Sequence, residues 1–114
     1  MALKVRINKV LRHPSPGRYL MGKVINRLGL FSYTTRVRMN AEGRPEYAYC
    51  ILSAANLAKA LGLRKISAIE FGVAGGNGLI MAEYHAKKVE EETGVEVEVY
   101  GFDTGEGLPN PVDY

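Results

Sequence analysis

Between Ile66 and Gly78 the chain passes from a short β-prone run (Ile66, Ile69, Phe71) with an acid near its end, Glu70, into four glycines within seven positions: Gly72, Gly75, Gly76 and Gly78. This order predicts a strand, a tight glycine turn and a helix that opens at Asn77. A turn of this kind lets backbone N–H groups point at a ligand, and lets the ligand lie against the chain without meeting a Cβ atom. It is the signature of a nucleotide cradle and predicts an α/β fold around it. The same turn also serves as a plain strand-to-helix connection.

Two details narrow the ligand. The dinucleotide fingerprint runs G-x-G-x-x-G. Here Gly72 is followed by Val73 and Ala74, and the close pair, Gly76 and Gly78, comes late. An acid in the last turn of a buried strand is costly unless it meets a cation or hydrogen-bond donors. A ligand with a cationic group suits Glu70 better than a pyrophosphate does.

The segment EFGVAGG, followed downstream by VYGFDTGEGLP, resembles the first two motifs of class I S-adenosylmethionine-dependent methyltransferases, the macrocin O-methyltransferase type in particular. The likeness covers Ile66 to about Pro109 and implies a Rossmann-like methyltransferase fold. It implies that Glu70, Gly72, Ala74, Gly76 and Asn77 lie along S-adenosylmethionine, with Asp103 on the ribose hydroxyls and Thr104 beside it. Ala74 stands where many of these enzymes carry glycine; alanine fits there unless φ must be positive. Asp103 follows a second β-prone run, and parallel strands would bring its loop to the edge that carries the glycine turn, where open α/β sheets bind ligands.

A length of 114 residues allows one domain and one modest core. A single cysteine, Cys50, excludes an intrachain disulfide framework and fits a reducing compartment. No His or Cys stands at ligand spacing from another, so no metal is expected. There is no run of about 18 apolar residues and no signal-peptide core, so no membrane span is expected and the cytoplasm is the expected location.

Charge is unevenly placed. Residues 1–47 carry ten Lys or Arg against Glu42 and Glu46, whereas residues 48–114 carry five basic and ten acidic side chains. The basic half fits a nucleic acid, an anionic membrane or an acidic substrate; it equally fits a solvated face or pairing with the chain's own acidic half.

Taken in order, residues 2–11 fit either a strand (Leu3, Val5, Ile7) or a helix face (Leu3, Ile7, Val10, Leu11), and Arg12–Gly17 is a break, with His13 a surface turn residue. Leu20, Met21, Val24, Ile25 and Leu28 form the apolar stripe of a helix from Arg18 to Leu28 that Gly29 ends, expected to pack on its own domain. Residues 31–39 alternate (Phe31, Tyr33, Thr35, Val37, Met39) and predict a short strand or extended arm. Pro45 and Glu46 open a helix to Leu61, stopped by Gly62; Cys50 is placed in its core, and Tyr47 and Tyr49 either wall a pocket or anchor the first turn.

Asn77 is placed as cap of the next helix, whose inner face is Leu79, Ala82, Ala86 and Val89 and which Gly94 closes. His85 is expected to be packed or exposed rather than a ligand. Glu90, Glu91 and Glu92 oppose the helix dipole, offset by Lys87 and Lys88. Along Val95–Phe102, Val95, Val97 and Val99 share one face and Glu96 and Glu98 the other, which leaves one face of that strand wet over its first half.

From Ile66 only 49 residues remain, room for one strand-helix-strand unit and a tail. The expectation is a partial Rossmann-like fold: residues 1–62 a basic, mostly helical segment, and residues 63–114 the start of a cofactor-binding domain. Its function would be to bind S-adenosylmethionine for methyl transfer to O or N of a small-molecule substrate, as a fragment or shortened relative, with no catalytic residue assignable. The alternative is a noncatalytic binding or interaction domain with a basic arm, self-associating through an uncovered sheet edge.

Overall fold

The computed structural model describes residues 16–107. The expectations for residues 2–11, for His13 and for the tail at 108–114 lie outside them. The element order is α1 (Pro16–Leu28), α2 (Tyr33–Arg38), α3 (Pro45–Ala60), β1 (Lys65–Phe71), α4 (Asn77–Thr93) and β2 (Glu96–Phe102). Among the described residues the architecture is mixed α/β: four helices and a two-strand parallel sheet.

β1 and β2 pair in register from Lys65↔Glu96 to Phe71↔Phe102. Because side chains alternate along a strand, each strand shows two characters. Ile66, Ala68 and Glu70 of β1 turn inward with Val97 and Val99 of β2, and the inward residues are buried or half-buried. The outward row begins with Lys65 paired to Glu96 and Glu98 and ends in Ile69, Tyr100, Phe71 and Phe102. The wet first half expected of β2 is present. Its second half is also uncovered but aromatic, with Phe71 79% and Phe102 53% exposed.

The core lies between the inner sheet face, α3 and α4. Ile51, Leu52, Ala55 and Ala58 of α3 meet Ala82, Ala86 and Val89 of α4, with Val95 and Val97 beneath. Small side chains on both helices let them approach closely. α3 starts with proline at its first position, as its sequence dictates, and α4 ends at Gly94 with φ 75°. The three acids at the end of α4 have separate partners. Glu90 accepts the Val97 N–H at 2.8 Å, Glu91 pairs with Lys88 at 2.8 Å, and Glu92 accepts the Thr34 N–H at 3.3 Å.

Three sequence expectations are corrected here. Residues 33–38 form helix α2, not a strand: Tyr33 and Val37, four residues apart, are the two that bury, and the Ser32 hydroxyl caps the turn by accepting the Thr35 N–H at 3.2 Å. The alternation in this stretch was compatible with both periods over so short a span. Cys50 is exposed, not a core residue, since α3 buries the face carrying Ala48, Ile51, Leu52 and Ala55. Asn77 does not cap α4. That position belongs to Gly76 in a left-handed conformation (φ 80°), and among the described residues no side chain caps the helix.

α1 begins two residues earlier than its stripe implied, with Pro16 in the first position. It touches the body through a narrow contact, and most of its apolar stripe does not pack on the domain: Ile25 is half-buried, but Leu20, Met21, Val24 and Leu28 are all exposed. Among the described residues no helix is long and apolar enough to cross a membrane.

Candidate functional site

The bend from Gly72 to Gly76 carries the chain from β1 into α4. Gly72 donates its N–H to the Phe102 carbonyl at 2.8 Å, which extends the sheet by one rung, and Gly76 donates to the Val73 carbonyl at 2.9 Å. At Gly72, Gly75 and Gly76 a Cβ atom would meet nothing within 4 Å, so the outer side of the bend is open. Ala74 has φ 47° and thus occupies the left-handed region that side-chain-bearing residues disfavour. This is the condition under which alanine at this place is strained.

On the inner side two glycines let the bend settle. Gly101, level with Glu70 in the register, leaves space that the Val73 and Leu79 side chains fill; a Cβ there would stand 2.7 Å from Val73 Cγ2. At Gly78 a Cβ would overlap the Glu70 carboxylate and stand 2.9 Å from the Tyr47 hydroxyl. The sequence pattern of glycines is therefore split between an open outer surface and a close-packed inner one.

Asp103 is fixed at the mouth of the bend. Its Oδ2 accepts the Ala74 N–H at 2.9 Å and its Oδ1 accepts the Gly105 N–H at 2.7 Å. The Ala74 N–H above all, then those of Gly105 and Val73, hold the carboxyl below the usual aspartate range, so it is ionised and acceptor-only near neutral pH. Beside it Thr104 accepts the Glu106 N–H through its hydroxyl at 3.2 Å. Phe71 and Phe102 stack with ring centroids 5.6 Å apart. With Gly72, Ala74, Asp103 and Thr104 they line an open cleft of about 750 Å³.

Glu70 is placed differently. It faces α3, where Tyr47 donates its hydroxyl proton to Glu70 Oε1 at 2.6 Å. Glu70 Oε2 is buried and has no hydrogen-bond partner among the described residues. The two residues line a second, apolar cleft of about 400 Å³ between α3 and β1, with Cys50, Ile51 and Ala54. Of the residues singled out in the sequence, the structure gathers Gly72, Ala74, Asp103 and Thr104 in one cleft. Gly76 and Asn77 stand at the start of α4 beyond its lining, and Glu70 stands beneath the bend on the helix side.

Sequence reasoning missed two relationships. The Phe71–Phe102 pair was recoverable from the parallel register, since each ends its strand. The Tyr47–Glu70 bond spans 23 residues between different elements, and nothing local signals it. His85, expected to be packed or exposed, is fully buried. Its Nε2 lies 2.7 Å from the Gly43 carbonyl, which can only accept, so Nε2 carries the proton and Nδ1 accepts from the Tyr33 hydroxyl at 2.9 Å. Next to it Glu42, also buried, pairs with Arg36 Nε at 2.6 Å and accepts from Asn26 and Tyr84, both at 3.4 Å. This network ties α1, α2 and α4 to the loop before α3.

Among the described residues no group of three or more His, Cys, Asp or Glu is placed to hold a metal ion. Together, the fold and the cleft define a mixed α/β chain whose parallel strands end side by side, one in a glycine bend and the other in an ionised carboxylate that borders it. No family model, curated protein or solved structure matches the chain.

Proposed function

We propose that this chain is the S-adenosylmethionine-binding part of a class I methyltransferase acting on O or N of a small molecule, with β1, α4 and β2 as the start of a Rossmann-like sheet. The observation that carries the reading is the Asp103 carboxylate, held by the Ala74 N–H at the open outer side of the glycine bend. An ionised carboxylate with lone pairs to spare accepts hydrogen bonds from vicinal ribose hydroxyls.

Two further features fit a cationic nucleoside. The bend admits a ligand without displacing side chains, as a Cβ at Gly72, Gly75 or Gly76 would meet nothing. Glu70 Oε2 is an orphan acceptor beneath the same bend, and a buried unpaired carboxylate oxygen is stabilised by a donor or a positive charge. The exposed faces of Phe71 and Phe102 offer an aromatic wall to the cleft.

When bound, S-adenosylmethionine supplies an electrophilic methyl carbon on its sulfonium sulfur. In this reading the chain's own residues bind and orient: Asp103 and Thr104 on the sugar side, Gly72 and Ala74 against the backbone of the bend, and Glu70 toward positive charge. Alignment of that kind contributes through proximity and orientation. No residue here is assigned as a base.

Calorimetric titration with S-adenosylhomocysteine tests the proposal. Binding by the parent chain is expected, with a loss of at least about tenfold in Asp103→Ala, since a hydrogen bond to a charged acceptor is worth roughly 1.5–3 kcal/mol. Binding undiminished in Asp103→Ala removes that residue from the site; no binding by the parent removes the cofactor.

A further inference from the structure

Helix α1 is amphipathic and mounted backwards. Gly22 and Asn26, one turn apart, face the body. Gly22 lies so close to the next loop that a Cβ would stand 3.2 Å from Ala41 Cα, and Asn26 Nδ2 donates to Glu42 Oε2 at 3.4 Å. The row on the far side consists of Leu20, Val24 and Leu28, which are 64%, 50% and 60% exposed. Leu30 and Phe31, just past the helix end, are also exposed. A helix belonging to one folded domain ordinarily turns its apolar stripe inward and its polar side out. Here the small and polar side docks and the stripe is presented.

The described charged side chains of α1 have one sign. Lys23 and Arg27, both exposed, run as a row beside it at helical spacing. From Met1 through Ala41 the sequence has nine Lys or Arg and no Asp or Glu. A surface that is aliphatic along its ridge and cationic at its edge complements hydrocarbon lying below a plane of negative charge. A second copy would bring the same cationic edge against its own kind, and a nucleic acid would satisfy the cations while leaving the leucines in water.

We infer that α1 lies flat on the surface of an anionic lipid bilayer, with Leu20, Val24 and Leu28 in the boundary between headgroups and acyl chains and Lys23 and Arg27 among the lipid phosphates. The orientation is the one that the Gly22 and Asn26 contacts already impose. The helix neither spans the bilayer nor needs to bend to reach it. The site is independent of the glycine bend and of any cofactor bound there.

Flotation of the full chain with phosphatidylcholine vesicles, with and without phosphatidylserine, tests this. The chain is expected to float with phosphatidylserine-containing vesicles and to stay behind with phosphatidylcholine alone. The double variant Leu20→Glu/Val24→Glu is expected to lose flotation with its circular dichroism unchanged, because both side chains are exposed. Lys23→Gln/Arg27→Gln is expected to weaken binding to the anionic vesicles by about tenfold or more.

The inference is overturned by no flotation with either vesicle, equal flotation with both, a Leu20→Glu/Val24→Glu variant that floats like the parent, or a parent dimer in sedimentation that the same variant converts to monomer. Binding to soluble polyglutamate as tight as to the vesicles would also overturn it, by placing the negative charge on a polypeptide.

Discussion

Tyr47 donates its hydroxyl proton to Glu70 Oε1 at 2.6 Å across the space left by the missing side chain of Gly78. One glycine, one tyrosine and one acid from three elements thus depend on one another. The bond raises the Tyr47 pKa, because its neutral form is the donor. Its contribution to folding is present below the ordinary tyrosine pKa of 10.0 and is lost as pH rises through the higher folded value.

Gly78→Ala is expected to destabilise the chain by about 1–3 kcal/mol, the usual cost of overpacking. The new methyl would have to displace both the Glu70 carboxylate and the Tyr47 hydroxyl. Urea unfolding at neutral pH measures the change. A loss near zero would mean that the two side chains swing away freely and that their bond carries little.

Ala74→Gly should act in the opposite direction. With φ at 47°, alanine bears a conformational cost of roughly 1–2 kcal/mol, and glycine removes it at an entropic cost of about 0.4–1 kcal/mol in the unfolded chain. A net gain of roughly 0.5–1 kcal/mol is expected in the same unfolding measurement. A clear loss would show that the Ala74 methyl packs favourably.

His85 makes stability depend on pH. Burial holds its pKa below the ordinary 6.5, against smaller opposing effects from the Gly43 carbonyl and the Glu42 and Glu46 carboxylates. The unfolded chain therefore takes up a proton near pH 6.5 that the folded chain refuses. Stability should fall as pH drops below about 6.5 and go on falling until the folded pKa is reached. Comparing urea midpoints at about pH 7.5 and 5.5 checks this, and His85→Gln should flatten the difference. Tyr33→Phe, which strips the donor from His85 Nδ1, should cost about 1–3 kcal/mol at neutral pH.

Cys50 is exposed, on the rim of the cleft between α3 and β1. The chain's one thiol should react in full with a thiol reagent under native conditions, on the same timescale as in urea. Reaction only after unfolding would put Cys50 back in the core.

Much of the local structure was legible. The Pro45 start of α3, the inner face of α4 and its Gly94 stop, and the two valine-rich and isoleucine-rich strands all follow from periodicity and end signals, because those cues act within one or two turns of chain. Where two periods coincide the reading failed: in residues 33–38, Tyr33 and Val37 satisfy a strand and a helix equally, and only packing against α3 and α4 selects the helix. The site was legible to the same depth. Asp103 and the glycine bend could be named one by one, whereas the turn of Glu70 toward Tyr47 could not.

By itself the sequence determined an acid and an open glycine turn at the end of one strand, an aspartate after the next, and a cationic first 41 residues, since each is a matter of residue type and short spacing. Tertiary structure alone decided which carboxylate borders the cleft, why Ala74 is strained, and that α1 shows its leucines to the outside. Those are consequences of how close separate elements approach. Approach is fixed by glycines such as Gly22, Gly78 and Gly101, whose missing side chains have meaning only against the atoms that fill their place.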